Sequence, residues 1–200
     1  MSSSSSTAPP AKFSHLLPPS FRCLVSAFLA EDTPSLDIGG FVVGESLVEA
    51  VLLLKGAPAS AASVGGIVLA GVPFFDAVFQ ELGCTVEWAY AEGDVVVVPA
   101  RVATVRGPAR AVLGGERTAL NILARATGVA TDARALVDVA KKLGWHGSVA
   151  GTRKVTPGFR LIEKYALLVG GAATHRIDLS QMVMLKGERE CGRAKRESWP

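Results

Sequence analysis

Cysteine is scarce in this chain: Cys23, Cys84 and Cys191 are widely spaced and odd in number, which argues against a disulfide framework and against a zinc pattern. That usage predicts Cys23 and Cys84 as buried thiols in a reducing compartment, by default the cytoplasm. Histidine is equally thin. His15, His146 and His175 are scattered, with no H-E-x-x-H and no carboxylate pair beside them, so no metal cage is expected from the chain's own side chains. Apolar runs stay short of the roughly 18 residues of a membrane span. Neither a phosphate-binding G-x-x-x-x-G-K-[ST] nor a strand-anchored G-x-G-x-x-G occurs, which excludes a P-loop and a dinucleotide fingerprint. No Ser or Cys occupies a G-x-S-x-G elbow. Basic residues interleaved with aromatics are also missing, so a nucleic-acid platform is not expected. Acids are absent before Glu31, but the opening Ser/Pro/Ala stretch has few cations and no long apolar region, and a disordered leader over residues 1–14 is expected instead of a targeting signal.

What is present is a chain that can bury a core. Its 200 residues are 49% hydrophobic with a mean hydropathy of +0.34, enough for one domain or two small ones. Phe21, Leu24, Val25 and Phe28 follow helical spacing from Ser20 to Glu31, and Asp32-Thr33-Pro34 stops the run. Val-rich stretches bounded by glycines predict strands at Leu47–Leu54, Gly66–Ala70, Cys84–Tyr90 and Asp94–Val105, with a helix at Pro73–Leu82. The aromatics of that helix are expected in the core. After Pro108 the chain reads as helical for more than thirty residues. Leu120, Leu123, Ala124 and Thr127 form one stripe, Ala133, Leu136, Val137 and Ala140 another, and Gly144 is placed as a C-cap.

Charge is concentrated late. Between Ser148 and Lys186 six cations, Arg153, Lys154, Arg160, Lys164, Arg176 and Lys186, face two acids, Glu163 and Asp178, a local balance of +4 in a chain of net +3. A cationic island on an otherwise balanced protein calls for an anionic ligand. Val149–Lys154 reads as a short buried strand whose end delivers Arg153 and Lys154. Pro157-Gly158 breaks the chain, and Phe159–Val169 follows as a helix with Ile162, Tyr165, Ala166 and Val169 on one face. Arg160 and Lys164 are expected on its solvated side, with Glu163 available for pairing. Gly170-Gly171 ends the helix, His175-Arg176 forms a second basic pair, and Gln181–Leu185 reads as a further strand ending at Lys186. In a βα unit ligands sit at the carboxyl ends of strands, which is where these cations fall. By sequence grammar alone Arg117 is an ordinary surface residue one turn from Asn121.

The runs Gly71–Asp76 (GVPFFD), Gly115–Asn121 (GERTALN), Ala150–Lys154 (AGTRK), Thr156–Arg160 (TPGFR), Glu163–Tyr165 (EKY) and Gly170–Ala172 with His175-Arg176 closely resemble the quinolinate phosphoribosyltransferases. The resemblance runs from about Leu16 to Lys186, while Gly187–Pro200 does not follow the family's pattern, so a truncation after Lys186 with an unrelated tail is expected. It implies an α/β chain: an N-terminal α/β (open sandwich) domain at 15–110, then the first part of a β/α barrel at 111–186, the barrel incomplete, and a non-family tail at 187–200. It implies joining of quinolinate to phosphoribosyl pyrophosphate with loss of CO2, giving nicotinate mononucleotide and pyrophosphate for NAD synthesis. Arg117 from a neighbouring subunit, with Arg153, His175 and Arg176, would hold the two quinolinate carboxylates. Lys154 and Lys186 would stand at the junction with the diphosphate as the catalytic cations. Mg2+ would come with phosphoribosyl pyrophosphate, its protein ligands lying outside this chain. Self-association as a dimer or hexamer is implied, without nucleic acid or membrane. The chain alone is expected to have little activity; the alternative reading is a non-catalytic isoform that dimerises with the full-length enzyme. A nicotinate-specific sister enzyme is disfavoured because two basic pairs suit a dicarboxylate.

Overall fold

A computed structural model describes residues 13–184. After a 3-10 turn at Ser14–Leu16, the described residues form helix α1 (Phe21–Asp32) and the short α2 (Ile38–Val43), then strand β1 (Leu47–Leu54), α3 (Ala61–Val64), β2 (Ile67–Val68), α4 (Val72–Glu81), β3 (Thr85–Trp88), β4 (Val95–Val96) and β5 (Ala100–Pro108). A 34-residue helix α5 (Ala109–Lys142) and α6 (Arg160–Val169) complete it. Strand β5 lies between β1 and β3, antiparallel to both, while β2 and β4 form a separate antiparallel pair.

The alternation of β1, in which every second residue is turned inward, explains its placement on one side of a core. Phe74, Phe75, Val78 and Phe79 of α4 fill that core together with Val102, Val105, Ala119, Ile122 and Leu123. Ring contacts continue it: Phe74 meets Phe21 of α1 and Tyr165 of α6 edge-on, each at 5.6 Å between centroids. Gly115 is required inside α5, since a Cβ there would stand 2.8 Å from the Phe79 ring and 2.9 Å from Leu82 Cδ1. Helix α5 packs against α4, the strands and α6, so one rod joins the N-terminal layer to the following segment.

Several expectations change. The run Asp94–Val105 is two strands: β4 pairs with β2, whereas β5 pairs with β1 and β3. Pro99 divides them, because proline cannot donate to a ladder. The stretch Gly66–Ala70 holds only a two-residue strand. Cys84 is buried, but Cys23 is exposed on α1, on the side away from the Phe21, Leu24, Val25 and Phe28 stripe that packs inward. Leu136 and Ala124 are exposed while Ala130, Ala133 and Val137 carry the burial of α5, since the apolar stripe is set by what packs against the helix. Gly144, in the left-handed region at φ 67°, ends α5 as expected. The expected leader lies almost wholly outside the described residues. Among them no helix is long and apolar enough to cross a membrane.

Candidate functional site

Helix α6 is covered on two sides. Ile162, Tyr165, Ala166 and Val169 join the main core, as their spacing predicts, and Leu167 turns the other way into a small cluster with Ala133, Val137, Val149 and Ala172. Between these layers Glu163 and Lys164 are only 6% and 2% exposed. The expectation that Lys164 lines a solvated face is therefore overturned, because the segments 149–151 and 172–176 fold over that face. A signal was available: Leu167 falls among Arg160, Glu163 and Lys164 on the polar side of the helix, an apolar residue on a face that would otherwise be solvated.

The two buried charges each secure one loop. The Glu163 carboxylate accepts from Arg125 Nε at 2.8 Å and from the Thr156 amide at 3.3 Å, and Arg125 also donates to the Thr156 hydroxyl at 2.8 Å. This anchors the turn that follows Arg153-Lys154. Burial pushes the Glu163 carboxyl up, but the Thr156 and Arg125 hydrogen bonds and the guanidinium charge bring it below the usual range. The Lys164 ammonium donates to the carbonyl of Thr174 and, at 3.4 Å, to that of Arg176. Burial, with Arg160 nearby, holds its pKa below the ordinary lysine value.

The segment 149–154 is not the buried strand expected from its sequence. Its strand-like pairing among the described residues is one parallel bridge, Ala150 with Ala173, closed by Gly151 N to Ala173 O at 2.9 Å and Ala173 N to Val149 O at 2.8 Å. A single bridge on one side supports no ladder, and Thr152, Arg153 and Lys154 are exposed. Gln181–Met184 is likewise irregular and exposed; Leu185 and Lys186 lie outside the described residues.

The bridge sets Arg153-Lys154 and His175-Arg176 at the same end of paired segments. Arg153 and Arg160 both lower the Asp178 carboxyl, whose chief support is the Ser180 hydroxyl and amide. His175 and Arg176 are half-buried, with His175 at φ 54° in the left-handed region, and the Arg176 guanidinium donates to Met182 O at 3.3 Å. Arg117 stands apart on the first half of α5, exposed, and no described contact joins it to this cluster. Arg125, Thr156 and Asp178 went unassigned by sequence reasoning, because nothing local distinguishes them from surface polar residues. Two clefts of about 420 and 390 Å3, mainly apolar, lie between β1 and α5, and neither is lined by Arg153, Lys154, His175 or Arg176.

A second polar network ties α6 to the sheet layer. Glu92, 7% exposed, accepts from Gly71 N at 2.8 Å, from Val72 N at 3.1 Å and from the Tyr165 hydroxyl, capping the N-terminus of α4. Burial raises its carboxyl above the usual range against these hydrogen bonds, and Asp76 adds to the rise. Asp76, raised by its own burial, accepts from the Trp88 indole at 2.8 Å.

An antiparallel layer joined by a long helix to a segment with clustered cations defines a two-part α/β protein. The model of the quinolinate phosphoribosyl transferase N-terminal domain matches residues 38–127 and that of the C-terminal domain residues 129–191. The chain belongs to the quinolinate phosphoribosyltransferase family. The two matches meet within α5, and the second continues past Lys186. Over 172 residues the chain is 54% identical to the human nicotinate-nucleotide pyrophosphorylase [carboxylating], covering 86% of this chain and 55% of that protein. It is 41% identical to the Dictyostelium discoideum protein of the same name, covering 88% and 61%. Among solved structures, the nicotinate-nucleotide pyrophosphorylase of Francisella tularensis superposes with a TM-score of 0.71 at 30% identity, over 82% of this chain and 55% of that one. NadC from Streptococcus pyogenes gives 0.72 at 32%, over 84% and 59%. The chain thus spans little more than half the length of these relatives, and its C-terminal segment falls in the family's C-terminal domain.

Proposed function

We propose that the clustered cations bind quinolinate for phosphoribosyl transfer from phosphoribosyl pyrophosphate. The observation that carries this is the parallel bridge between Ala150 and Ala173, which brings the Arg153-Lys154 and His175-Arg176 segments together. Arg153, His175 and Arg176, with Arg117 supplied by a second copy of the chain in a dimer or hexamer, hold the two carboxylates; guanidinium forks suit that geometry. Lys154 and Lys186 act as compact charges at the junction with the diphosphate. The pyridine nitrogen forms a bond to the anomeric carbon as the bond to the diphosphate oxygen breaks, and pyrophosphate leaves with that electron pair. Cations positioned at the developing negative charge lower the barrier. The ring carboxylate beside the new pyridinium then leaves as CO2, and the carbanion takes a proton to give nicotinate mononucleotide.

Among the described residues no three or more His, Cys, Asp or Glu side chains converge as metal ligands. On this reading Mg2+ enters with phosphoribosyl pyrophosphate.

Calorimetric titration of the full chain with quinolinate and with nicotinate tests the site. Tighter binding of the dicarboxylate is expected, and Arg153→Ala or Arg176→Ala should each weaken it about tenfold, the scale of one charge-assisted hydrogen bond. Equal, weak binding of both pyridines would remove the proposal.

A further inference from the structure

The Lys164 side chain comes from the middle of a helix, yet its ammonium reaches two carbonyls of another segment, Thr174 O and Arg176 O. Carbonyls two residues apart in extended backbone lie roughly 7 Å from one another, so both can meet one nitrogen only if the chain bends between them. The bend is at His175, the intervening residue, whose φ of 54° lies in the left-handed region that costs a non-glycine residue on the order of 1 kcal/mol or more. The same nitrogen borders the other basic segment: a Cβ on Gly151 would be 3.5 Å from Lys164 Nζ and 2.3 Å from Leu167 Cδ1. Glycine at that position lets the Ala150–Lys154 backbone close over the ammonium.

We infer that Lys164 is a positioning residue of the anion site: by drawing the Thr174 and Arg176 carbonyls onto one buried ammonium it bends the chain at His175 and sets His175-Arg176 beside Arg153-Lys154. This rests on reading the cluster as a carboxylate site. Lys164 itself, enclosed between α6 and the covering segments, does not touch the ligand. Of the other groups facing it, Arg160 is a like charge that raises the cost of keeping the ammonium there, so a purely space-filling role would be better served by an apolar side chain.

The test compares the full chain with Lys164→Met and Lys164→Arg by amide hydrogen exchange without ligand, then by quinolinate titration. In Lys164→Met, exchange over residues 172–178 is expected to accelerate about tenfold, the scale of one hydrogen bond to a charged group, with α4 and the β1–β5–β3 sheet unchanged. Quinolinate affinity falls by a similar factor, and Lys164→Arg, which keeps a cationic donor, recovers most of both. Should the methionine variant fail to fold, Lys164→Gln, whose amide keeps two N–H donors without the charge, takes its place, and a smaller change in the same direction is expected. Unchanged exchange at 172–178, an equal rise throughout the chain, or an arginine variant no better than methionine would overturn the inference. If the wild-type chain ignores quinolinate, the carboxylate reading falls while the exchange comparison still decides the role of Lys164.

Discussion

Glu92 and Glu163 are both buried carboxylates, one meeting α6 from the sheet side and one carried by α6 toward the basic loops, and their proton equilibria are pushed in opposite directions. Glu92 receives three neutral donors, two amides at the start of α4 and the Tyr165 phenol, and burial prevails, so its carboxyl is raised. Glu163 is more thoroughly compensated: a full guanidinium charge from Arg125 joins the Thr156 hydrogen bonds, and its carboxyl is lowered in spite of burial. Dipoles satisfy a buried carboxylate's geometry; a whole opposite charge is needed to hold it ionised against desolvation. The sheet side of the molecule is thus built for packing, and the loop side for organising charge.

Breaking the packing side should cost most. Phe74→Ala removes a fully buried ring that contacts Phe21 and Tyr165, and a loss of about 3–5 kcal/mol in urea unfolding is expected. Glu92→Ala comes next. It strands two helix-terminal amides and the Tyr165 hydroxyl, and about 2–3 kcal/mol is expected, because buried donors without partners carry their desolvation cost; a midpoint within error of wild type would show that water replaces the carboxylate.

The comparison sharpens with pH. Glu163, with its lowered folded value, contributes stability that is present above the ordinary carboxyl value of 4.5 and lost as pH falls through the lower folded value. Glu92, raised, contributes stability that is complete below 4.5 and lost as pH rises through its higher folded value. Glu163→Gln should therefore cost about 1 kcal/mol near neutrality and flatten the acid limb of the stability profile, whereas Glu92→Gln should leave the acid limb and remove the decline above it. Parallel profiles for the two variants would contradict the assignment. The smallest effect belongs to the outer face of the sheet. Arg106 pairs there with Glu49 at 2.9 Å and Glu87 at 2.7 Å, but all three side chains are in solvent, and Arg106→Ala is expected to leave the thermal midpoint unresolved from wild type.

Legibility in the sequence followed the same division. Strand β1 was bounded by its Val/Leu run, α4 and the inner face of α6 by their spacing, and the length of α5 by continuous helical character after Pro108. The site was legible as a set of cations and motifs. Its geometry was not: Val149–Lys154 carries strand composition but has one bridge in place of a ladder, and Lys164 looked solvated because the helical stripe on the opposite side accounted for the core. Arg125 gave no signal, since its partner Glu163 is 38 residues away.

By itself the sequence determined which residues are apolar at strand or helix periodicity, where glycines end helices, and that positive charge gathers between Ser148 and Lys186. These follow from local backbone preferences and from composition. Only the tertiary structure decided that α6 is covered on both sides, that Lys164 is enclosed, and that Arg125 reaches Glu163. Those facts depend on how α5 and α6 lie against each other and on which loops fold over them, and no spacing within one segment encodes a contact made between two.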